Sequence, residues 1–328
     1  VGSVFFGGGT PSLWEPAELG RTLDGIRSRL PIARGAEVTV ECNPTSLDEA
    51  RARALASAGV NRVSIGTQSL RREQLEHLGR LHDPDGARAA VRGALGVPGL
   101  RVSTDLIFGL PGQTPEDARA QALELVGLGL AHLSAYQLTI EPGTRFHALV
   151  EQGRLVPLDD DHQAALYELT QELLGAAGLP AYEISNHARP GQESCHNLVY
   201  WRYGDYVGIG PGAHGRLTLA KERVGTRTLR QPERWLAAVE RQGHGEEPRE
   251  PILPEAQLTE LLMMGLRLVE GVPVARIEAI AGRPLRTAIS APALERFLAA
   301  DLLRLEAGRL RATAAGRQRL EAILRRLL

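Results

Sequence analysis

A glycine-rich turn and four polar side chains are the residues whose types and spacing suggest chemistry in this sequence. The turn, Phe6-Gly7-Gly8-Gly9-Thr10-Pro11, follows an apolar strand start, and glycines allow a backbone to approach a ligand closely. A glycine run alone is weak evidence, because plain tight turns use the same residues. The four side chains each lie near the end of a predicted strand or just beyond it: Glu41, Gln68, Arg80 and Asp105. Together they suit a small zwitterion that carries a ribose.

A second signal lies between residues 191 and 217, where half of the tyrosines and one tryptophan of this aromatic-poor chain are concentrated. His196 and Tyr200 stand four residues apart there, so their side chains face the same way if the segment is helical. Aromatic residues beside a histidine indicate a flat apolar ligand or a partner surface. A core or surface histidine among packing aromatics is the plainer alternative.

The first half of the chain alternates short apolar runs with amphipathic stretches, which is typical of βα units and a parallel sheet. The predicted strands are Val4–Phe6, Glu37–Cys42, Arg62–Gly66, Val102–Phe108, Leu133–Ile140 and Ala181–Ser185. The predicted helices are Pro16–Leu30, Leu47–Ala58, Pro84–Leu95, Pro115–Leu128 and Asp160–Ala177. Prolines at the start of three of these helices fit the first turn, where the missing N–H has no intrahelical partner to lose.

Five or six such units predict an α/β fold with a complete or partial (β/α) barrel. An open dinucleotide-binding sheet is less favoured, because the G-x-G-x-x-G pattern is absent. Barrel ligands bind at the carboxyl ends of the strands, and Gly8, Glu41, Gln68 and Asp105 all lie near such ends. If Glu41 points into the barrel, alternation turns Cys42 outward to the helices, where we interpret it as a small buried apolar residue.

Composition narrows the classes of function. Lys+Arg 38 and Asp+Glu 39 give a net charge of −1, so no attraction to nucleic acid is expected. The sequence has no apolar stretch long enough to span a bilayer and no signal-peptide pattern, which predicts a cytoplasmic protein. Two cysteines, Cys42 and Cys195, cannot form a disulfide framework or a cysteine-rich metal site by themselves.

Past Leu219 the pattern becomes helical and differs from the first half. The predicted elements are helices over Pro232–Arg241, Glu255–Val269, Val274–Ala281 and Pro292–Leu303, a short run Leu305–Ala312 and a terminal helix. Helices with a small ribbon between them resemble a winged-helix arrangement. We therefore predict two domains: residues 1–218, a partial barrel with the aromatic segment, and residues 219–328, a small, mostly helical, winged-helix-like domain.

Five motifs of this sequence are similar, in the same order, to those of the radical-SAM coproporphyrinogen III oxidase family. They are Phe5-Phe6-Gly7-Gly8-Gly9-Thr10-Pro11-Ser12, Val40-Glu41-Cys42-Asn43-Pro44, Ser64-Ile65-Gly66-Thr67-Gln68-Ser69, Leu78-Gly79-Arg80-Leu81-His82 and Asp105-Leu106-Ile107-Phe108-Gly109-Leu110-Pro111-Gly112-Gln113-Thr114. The stretch from Tyr182-Glu183-Ile184-Ser185-Asn186 through His196-Asn197-Leu198-Val199-Tyr200-Trp201 resembles the heme-chaperone branch of that family, HemW. The resemblance runs nearly end to end.

The resemblance implies a partial barrel that holds S-adenosylmethionine against a [4Fe-4S] cluster. The implied cofactor-binding residues are Gly8, Gly9, Thr10, Glu41, Gln68, Arg80 and Asp105. The glycine-rich backbone and Glu41 would bind the methionyl amino group, and Arg80 the carboxylate, which a guanidinium pairs well. Gln68 and Asp105 would hydrogen-bond the ribose hydroxyls.

The same resemblance places the branch's H-N-x-x-Y motif on His196 and Tyr200 and implies that they contact heme. An imidazole and a tyrosinate both ligate ferric heme. Cys195 and His214 are further candidate ligands, although a loop histidine satisfied by hydrogen bonds is the simpler interpretation of His214.

The family's C-x3-C-x2-C motif precedes the glycine turn, whereas this sequence has no cysteine before Cys42. We expect that an N-terminal segment is missing and that the cluster forms only with it; a cluster-free paralogue is the alternative. The resemblance implies a chaperone that passes heme to acceptor proteins, membrane-associated ones included. The competing hypotheses are oxygen-independent oxidation of coproporphyrinogen III through a 5′-deoxyadenosyl radical, and a cofactor-free interaction scaffold.

Overall fold

A six-stranded sheet organises the first part of the chain in the computed structural model, which describes Val1–Leu328. Its strands are β1 (Ser3–Phe6), β2 (Glu37–Cys42), β3 (Arg62–Gln68), β4 (Arg101–Phe108), β5 (His132–Gln137) and β6 (Asn186–Ala188). β1 to β5 are parallel neighbours in chain order, and β6 pairs antiparallel with β5. The sheet stays open between β1 and β6, so the predicted partial barrel is confirmed.

Seven helices follow the strands of this sheet. They are α1 (Pro16–Arg27), α2 (Glu49–Ser57), α3 (Arg72–His77), α4 (Pro84–Leu95), α5 (Pro115–Gly127), α6 (Arg145–Glu151) and α7 (Asp160–Ala176). α1, α4 and α5 each carry proline in the first turn, as predicted. The side chain of Thr114 accepts a hydrogen bond from the N–H of Asp117 and caps α5, which satisfies a donor that has no intrahelical partner.

The two faces of the sheet differ in polarity. On the helix side, Val40, Val63 and Leu133 are fully buried, and Cys42 belongs to the same apolar core, as predicted. On the other face the strands carry polar side chains, many of them buried, among them Glu37, Thr39, Arg62, Ser103 and Ser134. Strand alternation produces this division, and the polar face holds the residues discussed below.

The predicted sixth strand, Ala181–Ser185, is wrong. The chain reverses there instead, because the N–H of Tyr182 donates to the carbonyl of Asn186 at 3.0 Å. The Glu183 carboxylate fixes the turn by accepting from the N–H of Ser185 at 2.8 Å and from Asn186 Nδ2 at 2.6 Å. The strand therefore begins at Asn186 and runs antiparallel to β5.

The chain divides into two compact units, residues 1–196 and 197–328. The remaining helices are α8 (Cys195–Trp201), α9 (Pro232–Gln242), α10 (Pro254–Gly265), α11 (Val274–Ala281), α12 (Leu285–Ala288), α13 (Ala291–Ala299), α14 (Ala314–Gln318) and α15 (Leu320–Leu327). The remaining strands are β7 (His214–Leu219), β8 (Glu222–Arg227), β9 (Glu250–Pro251), β10 (Val272–Pro273), β11 (Leu303–Glu306) and β12 (Arg309–Ala312). The domain boundary placed after residue 218 stays a prediction.

Two small antiparallel sheets complete the second unit. The order β10-β12-β11 supplies the ribbon expected among the C-terminal helices. The hairpin β7–β8 was not predicted from the sequence. Its two turn residues, Ala220 and Lys221, have φ of 48° and 75°, a conformation that Gly, Asn or Asp normally adopts in such turns.

Candidate functional site

The glycine turn lies at the carboxyl end of β1 and faces open space. Gly8 and Gly9 have φ of 81° and 62°, and a Cβ added to either would meet nothing within 4 Å. A Cβ on Gly7 would lie 2.6 Å from the Phe5 ring and 3.1 Å from Glu41 Oε2, so Gly7 is required by packing. Gly8 and Gly9 thus leave open space beside the backbone of the turn, as a ligand cradle requires.

Glu41 anchors this turn from the neighbouring strand. Its Oε2 accepts a hydrogen bond from the N–H of Gly8 at 3.1 Å, and its side chain is exposed in a strand whose other residues are buried. Thr10 precedes the short 3₁₀ turn Pro11–Leu13, and its side chain makes no capping hydrogen bond. An exposed carboxylate beside a backbone cradle is a suitable acceptor for an ammonium group.

Gln68 ends β3 in a strained conformation. Its φ is 65°, which is uncommon for a residue with a side chain, and the pairing of β3 with β4 shifts register between Ile65 and Gln68. The next residues are held by Gln121 of α5, whose Oε1 accepts from Ser69 Oγ at 2.8 Å and from the N–H of Leu70 at 2.7 Å. Strain that the surroundings impose is frequent at functional sites.

Asp105 lies on β4 opposite Ser134 of β5. Burial raises the pKa of Asp105 to about 7; a hydrogen bond from Ser134 opposes this shift, Glu41 adds to it, and Arg80 opposes it. Arg80 is exposed just after α3 and its N–H closes that helix by donating to the carbonyl of Leu75 at 2.8 Å. Glu41 and Arg80 therefore both lie within electrostatic range of Asp105.

His196 lies on the polar face of the sheet rather than at its carboxyl edge. Its ring stacks on Phe5 of β1, with centroids 4.4 Å apart and planes 9° apart, and Nδ1 lies 3.4 Å from Ser3 Oγ. Burial lowers the pKa of His196 to about 4, against a smaller opposing effect of Glu37. The imidazole is therefore neutral at physiological pH, as ligation of a metal requires.

Tyr200 lies one turn after His196 in α8, so the segment that carries the motif is helical; the heme-binding roles of the two residues stay a prediction. Its ring meets Tyr206 edge-on at 4.5 Å, and burial, followed by Tyr206, raises the pKa of its hydroxyl. Cys195 is exposed. His214 is the exposed first residue of β7 opposite Arg227, rather than part of a glycine-rich turn.

Four contact residues were missed by the sequence analysis: Ser3, Phe5, Glu37 and Ser134. Ser3 and Phe5 pair with Glu37 and Thr39 in the sheet, so strand alternation alone could have placed them on the face that carries Glu41. A glutamate in the same strand and on the same face as Glu41 was a further signal. That Glu37 is buried, at 1% exposure, could be learned only from the fold.

Comparisons with known proteins identify the family of this chain. A model of the radical SAM superfamily matches residues 1–123, and a model of the HemN C-terminal domain matches residues 252–319. Heme chaperone HemW of Escherichia coli (strain K12) is 41% identical over 305 residues, which cover 92% of this chain and 78% of that protein. This chain belongs to the HemW family of radical SAM proteins.

Two further relatives and one solved structure extend the comparison. Heme chaperone HemW of Mycobacterium tuberculosis is 36% identical over 328 residues, 100% of this chain and 81% of that protein. Radical S-adenosyl methionine domain-containing protein 1, mitochondrial, of Mus musculus is 43% identical over 277 residues, 83% of this chain and 62% of that protein. Coproporphyrinogen III oxidase (HemN) from Escherichia coli has the same fold, with a TM-score of 0.80, 19% identity and coverage of 99% and 77%.

The residues present fit one of the family's two cofactors. The open glycine turn and its flanking carboxylate offer the acceptors that the amino group of S-adenosylmethionine needs. The two cysteines do not supply the thiolates of a [4Fe-4S] cluster: Cys42 is buried, and burial raises the pKa of its thiol to about 12. No group of three or more His, Cys, Asp or Glu side chains is arranged to hold a metal ion.

None of the helices combines the length and apolarity needed to cross a membrane.

Proposed function

We propose that this HemW family chain is a heme chaperone, which binds heme at the segment carrying His196 and Tyr200 and passes it to acceptor proteins. The observation that carries the proposal is the helix α8, where the two residues lie one turn apart. A neutral imidazole and a tyrosinate are both established iron ligands in heme proteins. Relatives that are 34–41% identical to this chain over the aligned residues bear the name heme chaperone HemW.

S-adenosylmethionine is proposed as the second ligand, held at the carboxyl edge of the sheet. Gly8, Gly9, Thr10 and Glu41 would bind its amino group. Arg80 would pair with its carboxylate, and Gln68 and Asp105 would accept hydrogen bonds from the ribose hydroxyls. The support is that Glu41 accepts a hydrogen bond from the N–H of Gly8 at the open turn, and that Glu41 and Arg80 both act on the pKa of Asp105.

A hemin titration tests the heme site directly. We expect a Soret band on addition of hemin to the purified chain and a clear loss of affinity in His196→Ala. Tyr200→Phe should shift the ferric spectrum if the phenolate is a ligand, while the exposed His162 provides a matched control, His162→Ala. A Soret band that is unchanged in His196→Ala would contradict the proposal.

Transfer is tested by mixing the heme-loaded chain with an apo heme protein and following the Soret band of the acceptor. We expect heme transfer to the acceptor to be faster from this chain than from hemin bound to albumin. The alternative function, oxidation of coproporphyrinogen III, predicts decarboxylated product under anaerobic reducing conditions. Formation of that product by a protein that joins this chain to a segment with the family's C-x3-C-x2-C motif would overturn the chaperone assignment.

A further inference from the structure

The side chain of His196 is held by strand β1, which contributes to neither ligand site proposed above. Ser3 and Phe5 stand two residues apart on β1 and therefore share one face of the strand. Ser3 Oγ lies 3.4 Å from Nδ1 of His196. The Phe5 ring lies parallel to the imidazole at a centroid distance of 4.4 Å. One nitrogen and one ring face of His196 are therefore already engaged by β1.

The Phe5 ring is itself confined on a second side. A Cβ on Gly7 would fall 2.6 Å from Phe5 Cε1, so the ring lies directly against the Gly7 backbone. A ring that packs against both a backbone and the imidazole cannot swing away without losing contacts on two sides. The stacked orientation of His196 is thereby maintained.

The backbone of His196 is fixed separately by Glu37. Glu37 Oε1 accepts the N–H of His196 at 3.0 Å, and Oε2 accepts the N–H of Cys195 at 3.2 Å. Glu37 is 1% exposed, and Arg62 Nη1 stands 3.4 Å from its Oε2 and 3.2 Å from the carbonyl of Gln192. With the main chain anchored in this way, the contacts of the ring determine where the imidazole points.

We propose that Ser3 and Phe5 are positioning residues for His196: Ser3 accepts a hydrogen bond from Nδ1–H and Phe5 fixes the ring plane, so that Nε2 is the nitrogen that ligates heme iron. This inference rests on the proposed heme site, with Ser3 and Phe5 acting through His196. When a histidine ligates a metal through one ring nitrogen, a hydrogen-bond acceptor for the N–H of the other ring nitrogen fixes the tautomer and raises the basicity of the ligand. Ser3 supplies such an acceptor.

The tautomer can be measured without heme. Nitrogen-15 NMR of the histidine rings, with His196→Ala used for assignment, should show His196 as the Nδ1–H tautomer. In Ser3→Ala the Nε2–H tautomer, which free imidazole prefers, should gain population. Ser3→Thr keeps the hydroxyl and should restore the original tautomer. An Nε2–H tautomer in the unmodified chain would overturn the role of Ser3 whatever the outcome of the heme experiments.

The heme complex gives a second readout. Loss of an outer hydrogen-bond partner costs about 10-fold in metal affinity, so we expect about that loss of hemin affinity in Ser3→Ala. A less basic imidazole donates less to iron, so the iron–histidine stretching frequency of the ferrous complex should fall and its reduction potential should rise. A purely structural defect would lower the amount of folded protein but would leave this frequency unchanged.

Phe5→Leu and Phe6→Leu form a matched pair for the second residue. The two phenylalanines are adjacent on β1, but Phe6 packs against the apolar core on the other face. Phe5→Leu should weaken hemin binding and broaden the Soret band, whereas Phe6→Leu should lower stability and leave the spectrum of the folded fraction unchanged. Equal spectra for both variants would overturn the role of Phe5.

The failures of the two hypotheses can be distinguished. If His196→Ala binds hemin as the unmodified chain does, the proposed heme site fails and the positioning role falls with it. If His196→Ala abolishes binding but Ser3→Ala and Phe5→Leu match the unmodified chain in affinity and frequency, the heme site stands and the positioning role fails.

Discussion

Glu37 and Glu41 stand four residues apart on the same face of β2, yet they have opposite environments. Glu37, at the start of the strand, is buried and accepts hydrogen bonds from the segment Ser194–His196, with Arg62 and Arg101 within 3.5 Å. Glu41, near the end of the strand, is exposed and accepts the N–H of Gly8. Residues 194–196 thus cover this face of the sheet at the start of β2, whereas the end of β2 is exposed.

The two environments suit one residue type to two different purposes. A buried carboxylate must be paired and hydrogen-bonded, because the interior penalises an isolated charge. Glu37 meets this requirement entirely within the protein. An exposed carboxylate beside an open turn retains acceptor capacity for a ligand, and Glu41 is placed in this way.

The largest expected effect is the loss of the buried charge. Glu37→Gln leaves the guanidinium of Arg62, at 2% exposure, without its buried partner, and breaking such a pair costs about 3–5 kcal/mol. Glu41→Gln should change the free energy of unfolding by no more than about 0.5 kcal/mol, as surface substitutions usually do. Urea unfolding of both variants measures the contrast, and equal losses would contradict the distinction between the two ends.

The second effect is a dependence of the free energy of unfolding on pH, caused by Asp105. The folded pKa of Asp105, about 7, lies above its ordinary 3.8, so the folded chain disfavours the ionised form. Stability from this group is present in full below about pH 4 and is lost as pH rises through 7. Asp105→Asn should therefore gain about 2 kcal/mol at pH 8, after a discount for partial exposure.

Urea unfolding at pH 4 and pH 8 checks this prediction. The variant and the unmodified chain should differ much less at pH 4 than at pH 8. A difference that is the same at both pH values would mean that Asp105 is not held in a protonated state by the fold.

A smaller effect is expected at the glycine turn. Gly8→Ala forces a side chain to a φ of 81°, which costs about 1–2 kcal/mol. Gly2→Ala is the matched control, because a Cβ there also meets nothing within 4 Å and the residue lacks a positive φ. Thermal unfolding should separate the two variants; equal melting temperatures would mean that the turn relaxes at no cost.

The smallest effect is a shift in the titration midpoint of one histidine. The ring of His196 should titrate with a midpoint near 4 in proton NMR, well below the ordinary 6.5. Glu37 raises this pKa, so removal of its charge in Glu37→Gln should lower the midpoint further. A midpoint near 6.5 would place the ring in solvent and would contradict its stacking on Phe5.

Much of the architecture followed from local sequence signals. The bounds Glu37–Cys42, Pro84–Leu95 and Val274–Ala281 were predicted as the structure has them, since apolar periodicity, first-turn prolines and flanking breakers act within a few residues. The hairpin β7–β8 was not predicted, because Ala220 and Lys221 adopt a conformation that their residue types disfavour. The turn at residues 181–185 was not predicted either, because side-chain hydrogen bonds of Glu183 fix the reversal.

The polar residues at the strand ends followed from the sequence alone, because the two-residue period of a strand assigns every side chain to a face before any contact is known. This period puts Glu37 on the face of Glu41, but it does not tell that Glu37 is buried. Only the tertiary structure decided that residues 194–196 cover Glu37 and that His196 lies on Phe5, since Ser3 and His196 are 193 positions apart. Such contacts depend on how distant segments pack, and burial in turn sets the charge that each group carries.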